Sequence, residues 1–266
     1  MDGEKEYIDI NKALWNEKTV HHLKSDFYSL DSFMQGVSTL KEPELGLLGD
    51  IKGKSVLHLQ CHFGQDSMSL SRMGAIVTGV DFSDKAIDVA RKLVVKLDFD
   101  TKFICADIYA LPDVLDKEYD IVFTSYGVLG WLPDMKRWAR IVSRFLKKGG
   151  QFILAEFHPV VWMFDYEFTK VQYSYFNKEA IIETVSGTYA DRAASIEMLE
   201  IGWNHNLSEV FQALLDAGLT IKQFKEYDHS PYNCFKNMVE SEPGKFRLKG
   251  LEEKFPLLYT LKAVKE

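Results

Sequence analysis

The chain has 266 residues, 46% of them hydrophobic and 13% aromatic, which is ample material for a core and excludes bulk disorder. Its 32 lysines and arginines face 39 acidic residues, a net charge of -7 that argues against nucleic acid and anionic membrane as partners. No apolar run reaches the roughly 18 residues of a membrane span, the opening MDGEKEYIDINKAL lacks a signal-peptide pattern, and Cys61, Cys105 and Cys234 are too scattered for a disulfide framework or a zinc site. A cytoplasmic protein with reduced thiols and no metal is expected.

Residues 1–50 are polar and aromatic by turns, with Trp15, Asn16, His21, His22, Phe27, Tyr28 and Phe33, and read as a helical N-terminal cap. From Ser55 short apolar runs alternate with segments of helical period. SVLHL (55–59) is the first strand, followed by a helix from Gln65 to Met73. AIVTGV (75–80) is the second strand, and Ser83 caps a helix whose apolar residues Ala86, Ile87, Ala90, Leu93, Val94 and Leu97 fall on one face. KFICA (102–106), DIVFTSY (120–126) and QFILAEF (151–157) are three further strands. A helix from Asp134 to Leu146 separates the last two, and Lys147, Lys148, Gly149 and Gly150 are expected to close it. Residues 173–203 alternate more like strands, LSEVFQALLDAGL is a helix ending at Gly218, and LTIKQFKEY and LLYTLKAV are two last strands with only a loop between them. The alternation gives an α/β fold with a mainly parallel, doubly covered sheet and an antiparallel pair at its edge.

In such a sheet the ligand sits beyond the carboxyl ends of the strands. The first strand runs into HLQCHFGQDS (58–67), where a dinucleotide site would want G-x-G-x-x-G; only Gly64 stands there, among Gln60, Cys61, His62 and Phe63. Asp81 ends the second strand, suited to the two hydroxyls of a ribose, and Phe82 follows against a purine. Asp107 and Ile108 follow the third strand at the adenine edge, and Ser125 ends the fourth. A nucleoside without phosphates fits this set better than a dinucleotide.

At these residues the sequence resembles the class I S-adenosylmethionine-dependent methyltransferases. VLHLQCHFGQDS stands for the glycine loop, GVDFSDKAIDVAR for the ribose motif, CADIYALP for the adenine motif, and residues 119–157 for the later motifs. The family loop follows a pattern like DLGCGTG, so His58, Gln60, His62 and Phe63 depart from it, and His58 brings no negative charge for the cofactor's ammonium. The variant is loosely similar to a bacterial small-molecule subgroup that includes quinone-biosynthesis enzymes. The resemblance implies a Rossmann-like seven-stranded sheet of order 3-2-1-4-5-7-6 with the seventh strand antiparallel, S-adenosyl-L-methionine as cofactor, and in-line methyl transfer to a small organic acceptor.

Cofactor contacts are expected from Gln60, Cys61, His62, Gly64, Asp81, Phe82, Asp107, Ile108 and Ser125, with Trp15, Asn16 and Tyr28 closing over them from the cap. His158, after the fifth strand beside Glu156 and Pro159, is the candidate general base. His205 and His229 are weaker candidates. The acceptor pocket is expected between the cap, Glu156 and His158, and the segment around Tyr166 to Tyr189 of a β-rich, substrate-covering insertion at 160–205 within a methyltransferase domain at 51–266. Rings at Phe164, Tyr166, Phe168, Tyr173, Tyr175 and Phe176 suit an apolar or aromatic acceptor. A nucleotide-dependent oxidoreductase and a non-catalytic S-adenosylmethionine-binding protein are the alternatives, and the oligomeric state is open.

Overall fold

The computed structural model describes residues 2–266. Three helices come first: α1 (Asp2–His22), α2 (Leu30–Met34) and α3 (Glu42–Leu48). β1 (Ser55–Leu59), α4 (Gln65–Arg72), β2 (Ile76–Asp81), α5 (Asp84–Leu97) and β3 (Lys102–Cys105) follow as a strict alternation. After α6 (Leu111–Val114) come β4 (Tyr119–Ser125), α7 (Met135–Phe145) and β5 (Leu146–Phe157). The remainder comprises β6 (Ile181–Ser186), β7 (Glu197–Gly202), α8 (Leu207–Asp216), β8 (Leu219–Tyr227), β9 (Met238–Glu242), β10 (Lys245–Leu248) and β11 (Leu258–Lys265).

Local chemistry sets the helix starts. The Ser83 hydroxyl accepts from the Ala86 amide at 3.1 Å, Asp134 accepts from the Arg137 amide at 2.9 Å and Asn206 from the Glu209 amide at 3.0 Å, each satisfying a donor of a first turn. In α7 the residues Met135, Trp138, Ala139, Ile141, Val142 and Phe145 are buried, while Lys136, Arg137, Arg140 and Arg144 are exposed. The basic run is therefore the solvated side of an amphipathic helix.

Seven strands form one sheet in the order β3-β2-β1-β4-β5-β11-β8. β1 to β5 are parallel, and β11 runs antiparallel to both β5 and β8. Counted within this sheet the order is 3-2-1-4-5-7-6, as the resemblance implies. Alternate residues face opposite layers: Leu57, Leu59, Val122, Phe152 and Leu154 pack with α7 and α8, whereas Val56, Ile121, Phe123 and Ile153 pack with Leu48 of α3 and Leu70 of α4. Trp138, fully buried, meets Phe152 edge-on with ring centres 5.5 Å apart.

Two expectations need correction. The helix before β5 stops at Phe145, because Leu146 is already extended, and Lys147 to Gly150 belong to the first part of β5. Gly149, at φ 76°, serves the irregular register there between β4 and β5 and is no helix cap. The stretch between the last two sheet strands is also more than a loop, since β9 and β10 form an antiparallel hairpin within it. The strand-like alternation at 173–203 resolves into the antiparallel pair β6 and β7. Among the described residues no helix is long and apolar enough to cross a membrane.

Candidate functional site

The carboxyl ends of β1, β2 and β4 open into a cleft of about 1120 Å³, walled by the N-terminal helices on one side and by segments 157–168, 181–192 and 232–236 on the other. Of the residues expected at a cofactor, Trp15, Tyr28, Gln60, Cys61, His62, Gly64, Asp81, Phe82, Asp107, Ile108 and Ser125 all line it.

The loop after β1 shows how side chains can stand where the family pattern has glycine. Gln60 and His62 lie at φ 56° and 51°, the left-handed region that glycine enters freely, and Gly64 lies at φ 80°. The two large side chains line the cleft and are each held by a partner outside the loop. Gln60 Nε2 donates to the Val128 carbonyl at 2.9 Å, while His62 Nε2 lies 3.0 Å from Nδ1 of His22. Trp15 and Tyr28 meet the His62 ring at centre distances of 5.3 and 5.4 Å. Burial pushes the pKa of His62 down to about 3 and that of His22 to about 2, so both imidazoles are neutral at pH 7. At Gly64 a side chain has no room, because a Cβ would sit 2.3 Å from the Phe103 ring. Burial raises the Cys61 thiol well above its ordinary range, which leaves it a packing group.

Asp81, at the end of β2, accepts from the His62 amide through Oδ2 at 2.8 Å and from the Ser83 amide through Oδ1 at 2.9 Å. Burial pushes its pKa up to about 6, against the lowering pull of these amides. Its carboxylate thus ties the β1 loop to the start of α5 at the cleft wall. Asp107 accepts from the Tyr109 amide at 3.1 Å, and burial raises its pKa. Ser125 lies 3.4 Å from both Nε2 of His58 and Oδ2 of Asp66.

Two expected contributors lie elsewhere. Asn16 does not line the cleft; its amide donates to Asp84 at 3.0 Å and accepts from the Ser83 hydroxyl at 2.6 Å, fastening α1 to the start of α5. His158 is also absent from the cleft wall: it is 4% exposed, its Nδ1 accepts from the Val160 amide at 3.2 Å and its Nε2 lies 3.1 Å from Glu226. Its backbone amide donates to Leu257, so the chain leaving β5 turns this ring toward β8 and away from the ligand side. His205 is bound between Glu209 and the Leu132 carbonyl, and His229 beside Asp228. Glu156 has a structural job, accepting from the amides of Gly127, Val128, Leu129 and Phe157 at 2.5 to 3.0 Å and fixing the loop after β4.

The insertion rings divide. Phe164, Tyr166, Phe168 and Tyr173 line the cleft, whereas Tyr175 and Phe176 do not. Sequence spacing missed several wall residues from distant parts of the chain: Lys18, Asp66, Tyr126 and Tyr232. The aspartate of GQDS, Asp66, held a visible signal in its place on the first turn of a helix at the ligand side.

Residues 57–154 match the family described as a methyltransferase domain. A ubiquinone biosynthesis O-methyltransferase of Coxiella burnetii is 34% identical over 105 residues, 40% of this chain and 44% of that protein. The one of Nitrosospira multiformis is 28% identical over 153 residues, 56% of this chain and 64% of that protein. The chain thus spans about half the length of the curated relatives it matches. Among solved structures, an S-adenosylmethionine-dependent methyltransferase from Mesorhizobium loti superposes with a TM-score of 0.56 at 18% identity, covering 87% of this chain and 99% of that one. Geranyl diphosphate C-methyltransferase from Streptomyces coelicolor gives 0.54 at 16%, covering 84% and 77%. The family match over residues 57–154 and the strand order together show a methyltransferase domain on a Rossmann-like sheet within this chain.

Proposed function

We propose that this protein transfers a methyl group from S-adenosyl-L-methionine to a small organic acceptor. The observation that carries the reading is Asp81, a buried carboxylate at the end of β2 that faces the cleft while its two backbone bonds leave further lone pairs for a ribose. Asp107 and Ile108 supply the adenine edge, Phe82 a face for the purine, and the loop at Gln60, Cys61, His62 and Gly64 the wall beside the methionine chain. Transfer is an in-line displacement at the methyl carbon, and the protein's part is to align the acceptor and exclude water. Trp15 and Tyr28 of the first fifty residues, together with the 160–205 insertion, would cover the reactants. An apolar or aromatic acceptor suits the rings of Phe164, Tyr166 and Phe168. The net charge of -7 and the three free thiols are in keeping with a cytoplasmic enzyme acting on small molecules and not on nucleic acid.

Calorimetry tests the cofactor. S-adenosylhomocysteine should bind and NAD should not, and Asp81→Ala should weaken that binding by about 1.5 to 3 kcal/mol, the range for hydrogen bonds to a charged group. Unchanged affinity in a folded Asp81→Ala protein would refute the ribose role, and a preference for NAD the methyl-transfer reading.

A further inference from the structure

Tyr126 follows Ser125 at the carboxyl end of β4, lines the cleft, and holds a left-handed backbone at φ 45°. A bulky residue there is strained, and such strain persists where the surroundings fix it. Here the amide donates to the Ala155 carbonyl at 2.7 Å, and the Glu156 carboxylate clamps the next three amides. The ring is thereby presented to the cleft while its hydroxyl donates to Oε2 of Glu44. Glu44 is fully buried on α3, and its other oxygen accepts from the Lys41 amide at 2.5 Å. Among the described residues no lysine, arginine or histidine forms an ion pair with it. Glu44 closes the capping box at the start of α3, a role glutamine could also fill, and a buried carboxyl without a counter-ion is costly to ionise.

We propose that Tyr126 and Glu44 form a proton relay for a hydroxyl-bearing acceptor, a phenol, bound against Tyr126 and the rings of Phe157, Trp162, Tyr189, Tyr232 and Phe235. The inference rests on the methyl-transfer reading. The acceptor oxygen forms its bond to the methyl carbon as the carbon–sulfur bond breaks, and the electron pair of that bond stays on sulfur, giving S-adenosylhomocysteine. The acceptor's proton passes to Oη of Tyr126 while the proton of Tyr126 passes to Oε2 of Glu44. After product leaves, the reverse shift returns a proton through Tyr126 to water in the cleft. Burial pushes Glu44 up to about 8, partly offset by the bonds from Tyr126 and Lys41, so the base form grows in just above neutrality. The other charged and titratable groups facing the pair are Asp66, Tyr232 and Lys41; the charge of Asp66 raises Glu44 and Tyr126 alike, Tyr232 meets Tyr126 edge-on at 5.1 Å, and Lys41 Nζ sits 5.1 Å from the Tyr232 ring.

The test measures transfer of labelled methyl to phenol and to 4-nitrophenol, which ionises without help, from about pH 6 to about pH 9. Wild-type kcat on phenol should rise through about pH 8. Glu44→Gln and Tyr126→Phe, both nearly isosteric, should each lower kcat on phenol about 100-fold and flatten that rise, while kcat on 4-nitrophenol falls less than about threefold. S-adenosylhomocysteine affinity should be unchanged in both. A variant that keeps the wild-type rate on phenol overturns the relay, as does an equal loss on the two phenols, which would mark a structural role. A wild-type protein that binds S-adenosylhomocysteine but methylates neither phenol also overturns it and leaves the cofactor reading standing. Absence of S-adenosylhomocysteine binding sinks the methyl-transfer reading itself.

Discussion

Individual carboxylates in this molecule divide by what surrounds them. Glu156 and Asp81 are both buried at strand ends, yet Glu156 is saturated by four backbone amides whereas Asp81 meets two and borders the cleft. Glu156→Gln replaces one accepting oxygen by a donor that faces the same amides. The variant should lose about 1.5 to 3 kcal/mol in urea unfolding, the range for hydrogen bonds to a charged group. An unfolding midpoint equal to wild type would show that the loop after β4 does not depend on that carboxylate. His158 makes the opposite case. Its Nδ1 accepts from Val160, its Nε2 lies beside Glu226 and the ring stands off the cleft wall, so His158→Ala should leave S-adenosylhomocysteine affinity and turnover unchanged, and a selective loss of turnover would return it to the acceptor site.

At the scale of elements, the alternating half of the chain was legible because each strand and helix there carries its own signal. The period of α5, the Ser83 and Asp134 caps and the strand-end position of Asp81 are local properties, and local properties survive into the fold. The correct sheet order owed as much to resemblance as to pattern. What stayed illegible depends on pairing between segments distant in sequence. Glu44 and Tyr126 are 82 residues apart, and Tyr28 meets Tyr189 across 161, so no spacing announces either pair. Asn16 and His158 stand off the cleft wall for a related reason: a strand end or a cap locates a residue within a few ångströms, but the direction of its side chain is set by whichever partner arrives. The β9–β10 hairpin was missed because its polar turn and short strands read as loop. It is stapled to the end of β8 by Arg247, whose Nε and Nη2 reach the two oxygens of Asp228 at 2.8 and 3.3 Å. The guanidinium holds the Asp228 carboxyl down at about 2. Because this folded value is depressed, the staple contributes fully above the ordinary carboxylate range and is lost as pH falls toward about 2. Solvent screens the pair, since Asp228 is 35% exposed, so the effect should be local. Hydrogen exchange should show the amides of Met238–Leu248 losing protection in acid, and Asp228→Asn should show the same loss at pH 7. Equal protection in the variant would mean that the hairpin is held by its strands alone.

For the whole molecule, the consequence of this layout is that helix α1 walls the cleft and bridges α5 and β7, two parts of the chain that the sheet does not itself connect. On one face Asn16 and Lys12 grip α5 through Asp84 and Ser83. On another face of the same turns, the Asn11 amide donates to the Ile201 carbonyl at 2.7 Å and accepts from the Ile201 amide at 3.0 Å, so it pairs with β7 as a neighbouring strand would. Lys18 reaches Glu200 on the same strand at 2.7 Å, with its ammonium 5.2 and 5.0 Å from the rings of Trp15 and Trp131. We propose that a ligand lying against Asp81 is covered by this bridge and that the bridge opens for exchange. Asn11→Ala leaves both backbone groups of Ile201 unpaired, a cost of about 1 to 3 kcal/mol that falls on the closed arrangement and not on the sheet. S-adenosylhomocysteine should therefore dissociate about five- to 150-fold faster from Asn11→Ala, by stopped-flow fluorescence of Trp15 and Trp131, if that cost is expressed wholly in the opening step. The unfolding transition reported by the core around Trp138 should move little by comparison. A variant with the wild-type dissociation rate would show that ligands leave by another route, between the insertion and the 232–236 segment, with α1 a fixed wall of the cleft.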